Sequence, residues 1–258
     1  MQLALVTGAS KGIGREIAIA LADAGHKVIA VSRTPMAQFE HIENICGDVS
    51  DINFVNSLQK QVAKDYGNVQ ILINAAGIFG PIDLIKDADP KHWVETIMID
   101  AIAPYFTSRA FLPAMLDAKW GRIINLSSAA ALHPPAKLNS AYATAKVALN
   151  QFTRHLAAEI SGSGVTANVI HPGDVRSDMW ADISAKANKL GKAGADYKSW
   201  VDWVEKTGGD DPKKVGQLIL KLVSDESAAI NGRFCWIESP LQEPIPSWDD
   251  PTDERPWI

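Results

Sequence analysis

Tyr142 and Lys146 stand four residues apart in the stretch NSAYATAK, residues 139–146, which runs on as VALNQFTRHLAAEI. The run is built from good helix formers. On a helix, a spacing of four stacks the two side chains one turn apart on one face. A phenol titrates near ~10, too high for a useful base at neutral pH. An ammonium one turn away favours the phenolate and lowers that value, so such a pair is equipped to take or give a proton. Most Tyr/Lys pairs at this spacing are ordinary surface neighbours, so the pair alone carries little. Its helix adds to it: Ala145, Leu149, Phe152 and Leu156 make one apolar stripe, and Tyr142 and Lys146 fall at its edge. That is the boundary between core and cleft, where a tuned titrating pair has to sit.

A second group of residues points to phosphate binding. The N-terminal run LALVTG is followed by ASKGIG, with glycine at 8, 12 and 14 and Ser10, Lys11 and Ile13 between them. A glycine-rich turn after a first strand and before a helix lets backbone approach a pyrophosphate, whose charge is met by the helix N-terminus. The spacing is T-G-x-x-x-G-x-G rather than G-x-G-x-x-G. The next apolar run ends in VSR, where an NAD-binding chain usually places a carboxylate about 20 residues past the turn. Here Ser32 and Arg33 stand instead, with Lys11 in the loop. A hydroxyl and two cations suit a ribose 2′-phosphate. NADP(H) is therefore favoured and NAD(H) remains possible; the alternative is that Arg33 is a solvated strand-end charge.

The elements that must hold these residues alternate from the first residue. Short apolar runs at 3–8, 27–32, 41–48, 69–77, 121–128, 165–173 and 232–239 read as strands. Amphipathic stretches near 13–24, 51–65, 90–117, 140–160 and 212–224 read as helices, the first two stopped by Gly25 and Gly67. Apolar strands alternating with helices define an α/β fold, a Rossmann-type doubly wound parallel sheet with helices on both faces. Such a sheet binds ligands beyond the carboxyl ends of its strands. Residues 178–210 interrupt the rhythm as an insertion bearing Trp180, Tyr197, Trp200 and Trp203, with Gly191 and Gly194 as candidate hinges. Tyr197, Trp200, Val201 and Val204 share one helical face, read mainly as packing. The proline- and acid-rich stretch 240–258 reads as an irregular tail, with Trp248 and Trp257 able to dock on protein.

Composition narrows the function classes. A chain of 258 residues with 47% hydrophobic content suits one large domain, or at most two small ones. A net charge of −5 argues against a general binder of nucleic acid. Cys46 and Cys235 allow at most one disulfide and have no metal-ligand spacing, and no cluster of His, Cys and carboxylate marks a metal site. A reducing, cytoplasmic setting is expected. The N-terminal apolar run is too short for a signal peptide or a membrane span.

Taken in order, TGASKGIG, GDV at 47–49, NAAG at 74–77, Ser127-Ser128, YATAK at 142–146 and HPGDVRSDM at 171–179 resemble the short-chain dehydrogenase/reductases over roughly residues 2–239. The resemblance implies an oxidoreductase moving a hydride between NADP(H) and a secondary alcohol or carbonyl of a small molecule. It implies that Tyr142 and Lys146 are the catalytic couple and that Ser128 holds the substrate oxygen, with Ser127 as the alternative. Asp48 and Val49 then flank the adenine, and Asn74, Ala75, Ala76 and Gly77 line the cofactor. Pro172, Gly173, Val175 and Ser177 hold the nicotinamide carboxamide. The family commonly has asparagine where Asp100 stands in this chain; an ionised aspartate accepts hydrogen bonds without donating, and it further favours the Lys146 ammonium if the two are close. Family likeness also implies a homodimer or homotetramer built on helices near 90–117 and 140–160. The insertion should cover the substrate, with Trp180, Trp203 and the loop residue His133 as candidate contacts. Rival readings are an NAD-dependent sugar or polyol dehydrogenase, a nucleotide-sugar epimerase or dehydratase, and a non-catalytic dinucleotide sensor.

Overall fold

A computed structural model describes residues 1–132, 137–187 and 189–237. His133 and the tail 240–258 lie outside the described residues. Seven strands form one parallel sheet: β1 (Leu3–Thr7), β2 (Lys27–Ser32), β3 (Ile42–Cys46), β4 (Ile71–Asn74), β5 (Gly121–Leu126), β6 (Val165–His171) and β7 (Phe234–Trp236). Their order is β3-β2-β1-β4-β5-β6-β7. The winding reverses between β1 and β4, which opens a crevice at their carboxyl ends.

Both faces of the sheet are apolar because both are covered. Ala4 and Val6 of β1 point to one face, where they join Ile17 and Leu21 of α1 (Gly12–Asp23) and Leu218 and Leu222 of the last helix, Pro212–Val223. Leu3 and Leu5 point to the other, against Val55, Leu58 and Val62 of α2 (Ile52–Asp65) and against Phe111 and Met115. Burying one such aliphatic side chain contributes roughly 1.5–3 kcal/mol before ordering costs. Alternation at period two therefore fixes the register of the sheet.

Helix starts are set by side chains that satisfy free backbone donors. Asp51 accepts from the Asn53 N–H, and Asp89, followed by proline, accepts from Lys91 N–H at the start of α3 (Pro90–Ile97). The expected helix over 90–117 is present but not uniform. A π-helical turn, Met98–Ile102, joins α3 to α4 (Ala103–Asp117), and the Ala103 N–H reaches back to the Met98 carbonyl. Pro104 lacks the N–H that would bond the Asp100 carbonyl, so the widened turn falls where the regular ladder loses a donor.

The α5 helix (Ser140–Glu159) carries NSAYATAK at its start. The insertion folds into α6 (Asp178–Ala187) and α7 (Ala195–Thr207), and the chain then enters α8 (Pro212–Val223). Val201 and Val204 pack with Trp180 and Ala187, as the helical-face reading expected. Both cysteines are free, on β3 and β7 at opposite edges of the sheet. Among the described residues no helix is long and apolar enough to cross a membrane, and no group of residues could hold a metal ion.

Candidate active site

The crevice is a cleft of about 430 Å³. Gly8, Ser10, Lys11, Gly12, Ile13 and Gly14 form one side, followed by Ser32 and Arg33 from the end of β2 and Asp48 and Val49 after β3. Ala75, Ala76 and Gly77 line it beyond β4, and Tyr142, Lys146, Pro172 and Ser177 close its far end.

The glycine turn is shaped for close approach. Gly8 has φ of 67°, and a Cβ there would lie 2.7 Å from the Ala76 backbone. A Cβ on Gly14 would lie 2.4 Å from the Gly8 carbonyl oxygen, which is backbone and cannot swing aside. The α1 helix starts at Lys11 with no side-chain cap, so its first N–H groups are left for the cleft. A cradle without Cβ atoms beside an uncapped helix start fits a dinucleotide pyrophosphate. Thr7 pins the opposite wall, its Oγ1 accepting from the Ala75 and Ala76 N–H groups at 3.1 Å each. Gly14→Ala is expected to cost about 1–3 kcal/mol through forced backbone displacement. Chemical denaturation measures it; unchanged stability would show that the turn tolerates the methyl.

At the far end, Ser128 is close enough to Tyr142 to pull its phenol down, while its Oγ accepts from the Ala130 N–H at 3.2 Å. The Lys146 Nζ is 5.3 Å from the Tyr142 ring centroid. Lys146 is held from behind: it donates to the Leu126 carbonyl at 2.9 Å and meets Asp100 Oδ2 at 3.0 Å. Two of its three donors are thereby engaged. Asp100, fully buried in the π-helical turn, also accepts from the Ile78 N–H at 2.9 Å. Ser127 lines the cleft, is buried and donates to Asn150 Oδ1 at 2.5 Å, whereas Ser128 bears on the Tyr142 phenol.

The electrostatics differ from the simple expectation of a lowered phenol. Burial pushes the Tyr142 phenol up, Lys146 and Ser128 pull it down, and Asp100 and Asp174 push it up again; the net direction is upward. Lys146 does act in the expected sense, but the carboxylate behind it and the loss of water outweigh it. Burial works against the Lys146 ammonium, yet Asp100 and Tyr142 outweigh that and raise it. Burial also raises the Asp100 carboxyl despite the opposing pull of Lys146.

Several expected site residues lie elsewhere. Asn74 is buried behind the cleft, donating to Asn125 Oδ1 at 2.7 Å and accepting from Thr107 at 2.7 Å. It braces β4 to β5 rather than lining the cleft, because a strand-end amide buried beside two polar partners is satisfied there. Gly173 makes a tight turn with φ of 80°, where a Cβ would meet Ile237 and Asp210; Val175 is buried, and neither lines the cleft. Trp180 packs inside the insertion with Arg176 over its ring, and Trp203 lies half-exposed on the outward face of α7. Neither lines the cleft. Lys11 pairs with Asp178 of α6 at 3.8 Å, both exposed. Phe79, which sequence reasoning missed, stacks on Tyr142 with ring centroids 4.7 Å apart. Its place two residues past NAAG was the available signal.

This sheet order, with a Tyr–Lys–Ser group at the carboxyl ends of its strands, defines a dinucleotide-type oxidoreductase class. The chain belongs to the short chain dehydrogenase family, whose model matches residues 2–188. It is 33% identical over 242 residues to a 3-oxoacyl-(acyl-carrier-protein) reductase of Haemophilus influenzae, covering 90% of this chain and 94% of that one. It is 35% identical over 195 residues to a short chain dehydrogenase of Pseudocercospora fijiensis, covering 70% of this chain and 62% of the relative's length. An actinorhodin polyketide ketoreductase solved with NADPH has the same fold, with a TM-score of 0.81 at 23% identity over 91% of this chain and 95% of that one.

Proposed function

We propose that the protein is an NADP(H)-dependent carbonyl reductase or alcohol dehydrogenase acting on a small molecule. The observation that carries this reading is the Tyr142 side chain beside the Lys146 ammonium at the end of a dinucleotide-shaped cleft. When bound, the nicotinamide supplies or accepts the hydride. Tyr142 gives the proton to the nascent alkoxide in reduction, or takes it from the alcohol in oxidation. Ser128 orients the reacting oxygen. Lys146 stabilises the phenolate, and Asp100 fixes Lys146. The glycine turn holds the pyrophosphate, Asp48 and Val49 border the adenine, and Pro172 and Ser177 meet the carboxamide. The domain spans 1–239 in this reading, works in the cytoplasm, and assembles as a homodimer or homotetramer.

Arg33 and Ser32 support NADP(H) over NAD(H): Arg33 is exposed at the cleft, where a 2′-phosphate would meet a cation and a hydroxyl. A charge-assisted hydrogen bond contributes about 1.5–3 kcal/mol. Arg33→Ala is therefore expected to lower the NADPH-to-NADH affinity ratio by about 10–100-fold. Fluorescence titration with both cofactors checks this, and an unchanged ratio removes Arg33 from the phosphate site.

A further inference from the structure

Beside Tyr142 stands an apolar wall. Ile82, Leu138 and Ile183 form a buried cluster with Phe79, Met179, Tyr197 and Trp200 packed against it. Two residues tie this wall to the reaction centre. Phe79 stacks on Tyr142, and Met179 lines the cleft itself. Tyr197 meets Phe79 edge-on, with centroids 6.1 Å apart. The Tyr197 hydroxyl is buried and, among the described residues, has no hydrogen-bond partner. A buried hydroxyl left unpaired costs about 1–3 kcal/mol, so such groups in folded proteins are normally met by water or a ligand.

Charge points the same way. The charged groups that bear on Tyr142 are Lys146, Asp100 and Asp174. Lys146, the cation among them, is already paired with Asp100 at 3.0 Å. A carboxylate or phosphate on the substrate would find Lys146 already neutralised by Asp100, meet a further carboxylate at Asp174, and lose its hydration against an apolar wall.

We propose that the substrate is a neutral, largely apolar carbonyl compound (or the matching secondary alcohol) with an aromatic body. We further propose that Tyr197 is a specificity residue whose hydroxyl donates to a second polar atom on it. The inference rests on the oxidoreductase reading for the reacting group but concerns recognition alone. Phe79, Tyr197 and Trp200 offer ring edges and faces to an aromatic body. The Tyr197 donor rewards a substrate with an acceptor at its far end, and the apolar wall with Asp174 selects against an anionic one.

Three probes separate the elements of the proposal: methyl para-acetylbenzoate, which is neutral with an acceptor; para-acetylbenzoate, its anion; and acetophenone, which lacks the second polar atom. Binding is measured by calorimetry on the full chain in the presence of NADPH, and turnover by nicotinamide absorbance. The ester is expected to bind at least about tenfold more tightly than the anion, a difference of about 1.4 kcal/mol. Asp174→Asn should narrow that ratio. Tyr197→Phe should weaken ester binding about tenfold more than acetophenone binding, raising KM rather than lowering kcat, without lowering Tm. Equal or tighter binding of the anion, no binding of the ester, or equal losses for ester and acetophenone would overturn the proposal. Ester binding without turnover would sink the reductase reading while leaving the recognition inference standing.

Discussion

Tyr142→Phe is expected to lower kcat/KM by about 10²–10⁴-fold while leaving the fold intact, because a positioned acid/base contributes roughly that much. The substitution removes one oxygen and keeps the ring. The stack on Phe79 at 4.7 Å and the apolar surroundings of the helix start are retained. What is lost is the hydroxyl that moves the proton, together with its polar contact toward Ser128. The stability change should be about 1 kcal/mol or less, the scale of one hydrogen bond. Cofactor affinity, read by fluorescence titration, should stay near the wild-type value. Near wild-type turnover in this variant would remove Tyr142 from the chemistry.

Asp100 carries the second large effect. It is fully buried, and it meets a Lys146 that is itself only 4% exposed. Breaking a buried pair by deleting one partner typically costs about 3–5 kcal/mol, because the remaining charge is left uncompensated. Asp100→Ala should therefore lose about that much stability in urea denaturation. It should also lose activity, since an unsupported buried ammonium tends to shed its proton and no longer stabilises the phenolate. Asp100→Asn separates charge from packing. The negative charge of Asp100 pushes the Tyr142 phenol up, so its removal should move the rising limb of alcohol oxidation to lower pH. An unmoved limb, or one displaced to higher pH, would contradict this. The stability consequence has a definite sign. The folded-state pKa of Lys146 is raised, so its contribution is fully present below the unfolded value of about 10.4 and is lost as pH rises through the folded one. Asp100→Asn should bring that alkaline loss to lower pH. The raised Asp100 carboxyl works at the acid end, where its contribution is present below about 3.9 and fades as pH climbs past the folded value.

The sheet was legible because each strand is a short apolar run bounded by polar or glycine residues. Each strand lies inside the segment expected for it, and the ends trimmed off, such as Ala75–Gly77 after β4, are the residues that leave the sheet to line the cleft. The glycine turn was legible because its function depends on missing Cβ atoms, a property written in residue type. What the sequence concealed were tertiary outcomes. The π-helical turn depends on how Pro104 is accommodated in a packed helix. The upward direction of Tyr142 depends on burial and on Asp100 lying behind Lys146, neither of which the i,i+4 spacing contains. Asn74 was read as a cofactor contact from its place in NAAG, yet its partners Asn125 and Thr107, 51 and 33 residues away in sequence, hold it behind the cleft. Aromatic residues of the insertion were the hardest to sort, since Trp180, Trp203 and Tyr197 differ only in which way the folded helices turn them.

The most direct test of the proton and hydride assignment uses NADPH deuterated at the transferable position of the nicotinamide. With a carbonyl substrate that turns over, wild-type protein is expected to place that deuterium on the product carbinol carbon, as read by mass spectrometry. Tyr142→Phe should slow its appearance by the same factor as turnover. A product free of cofactor deuterium, or equal transfer rates in the two proteins, would contradict hydride transfer coupled to proton transfer at Tyr142.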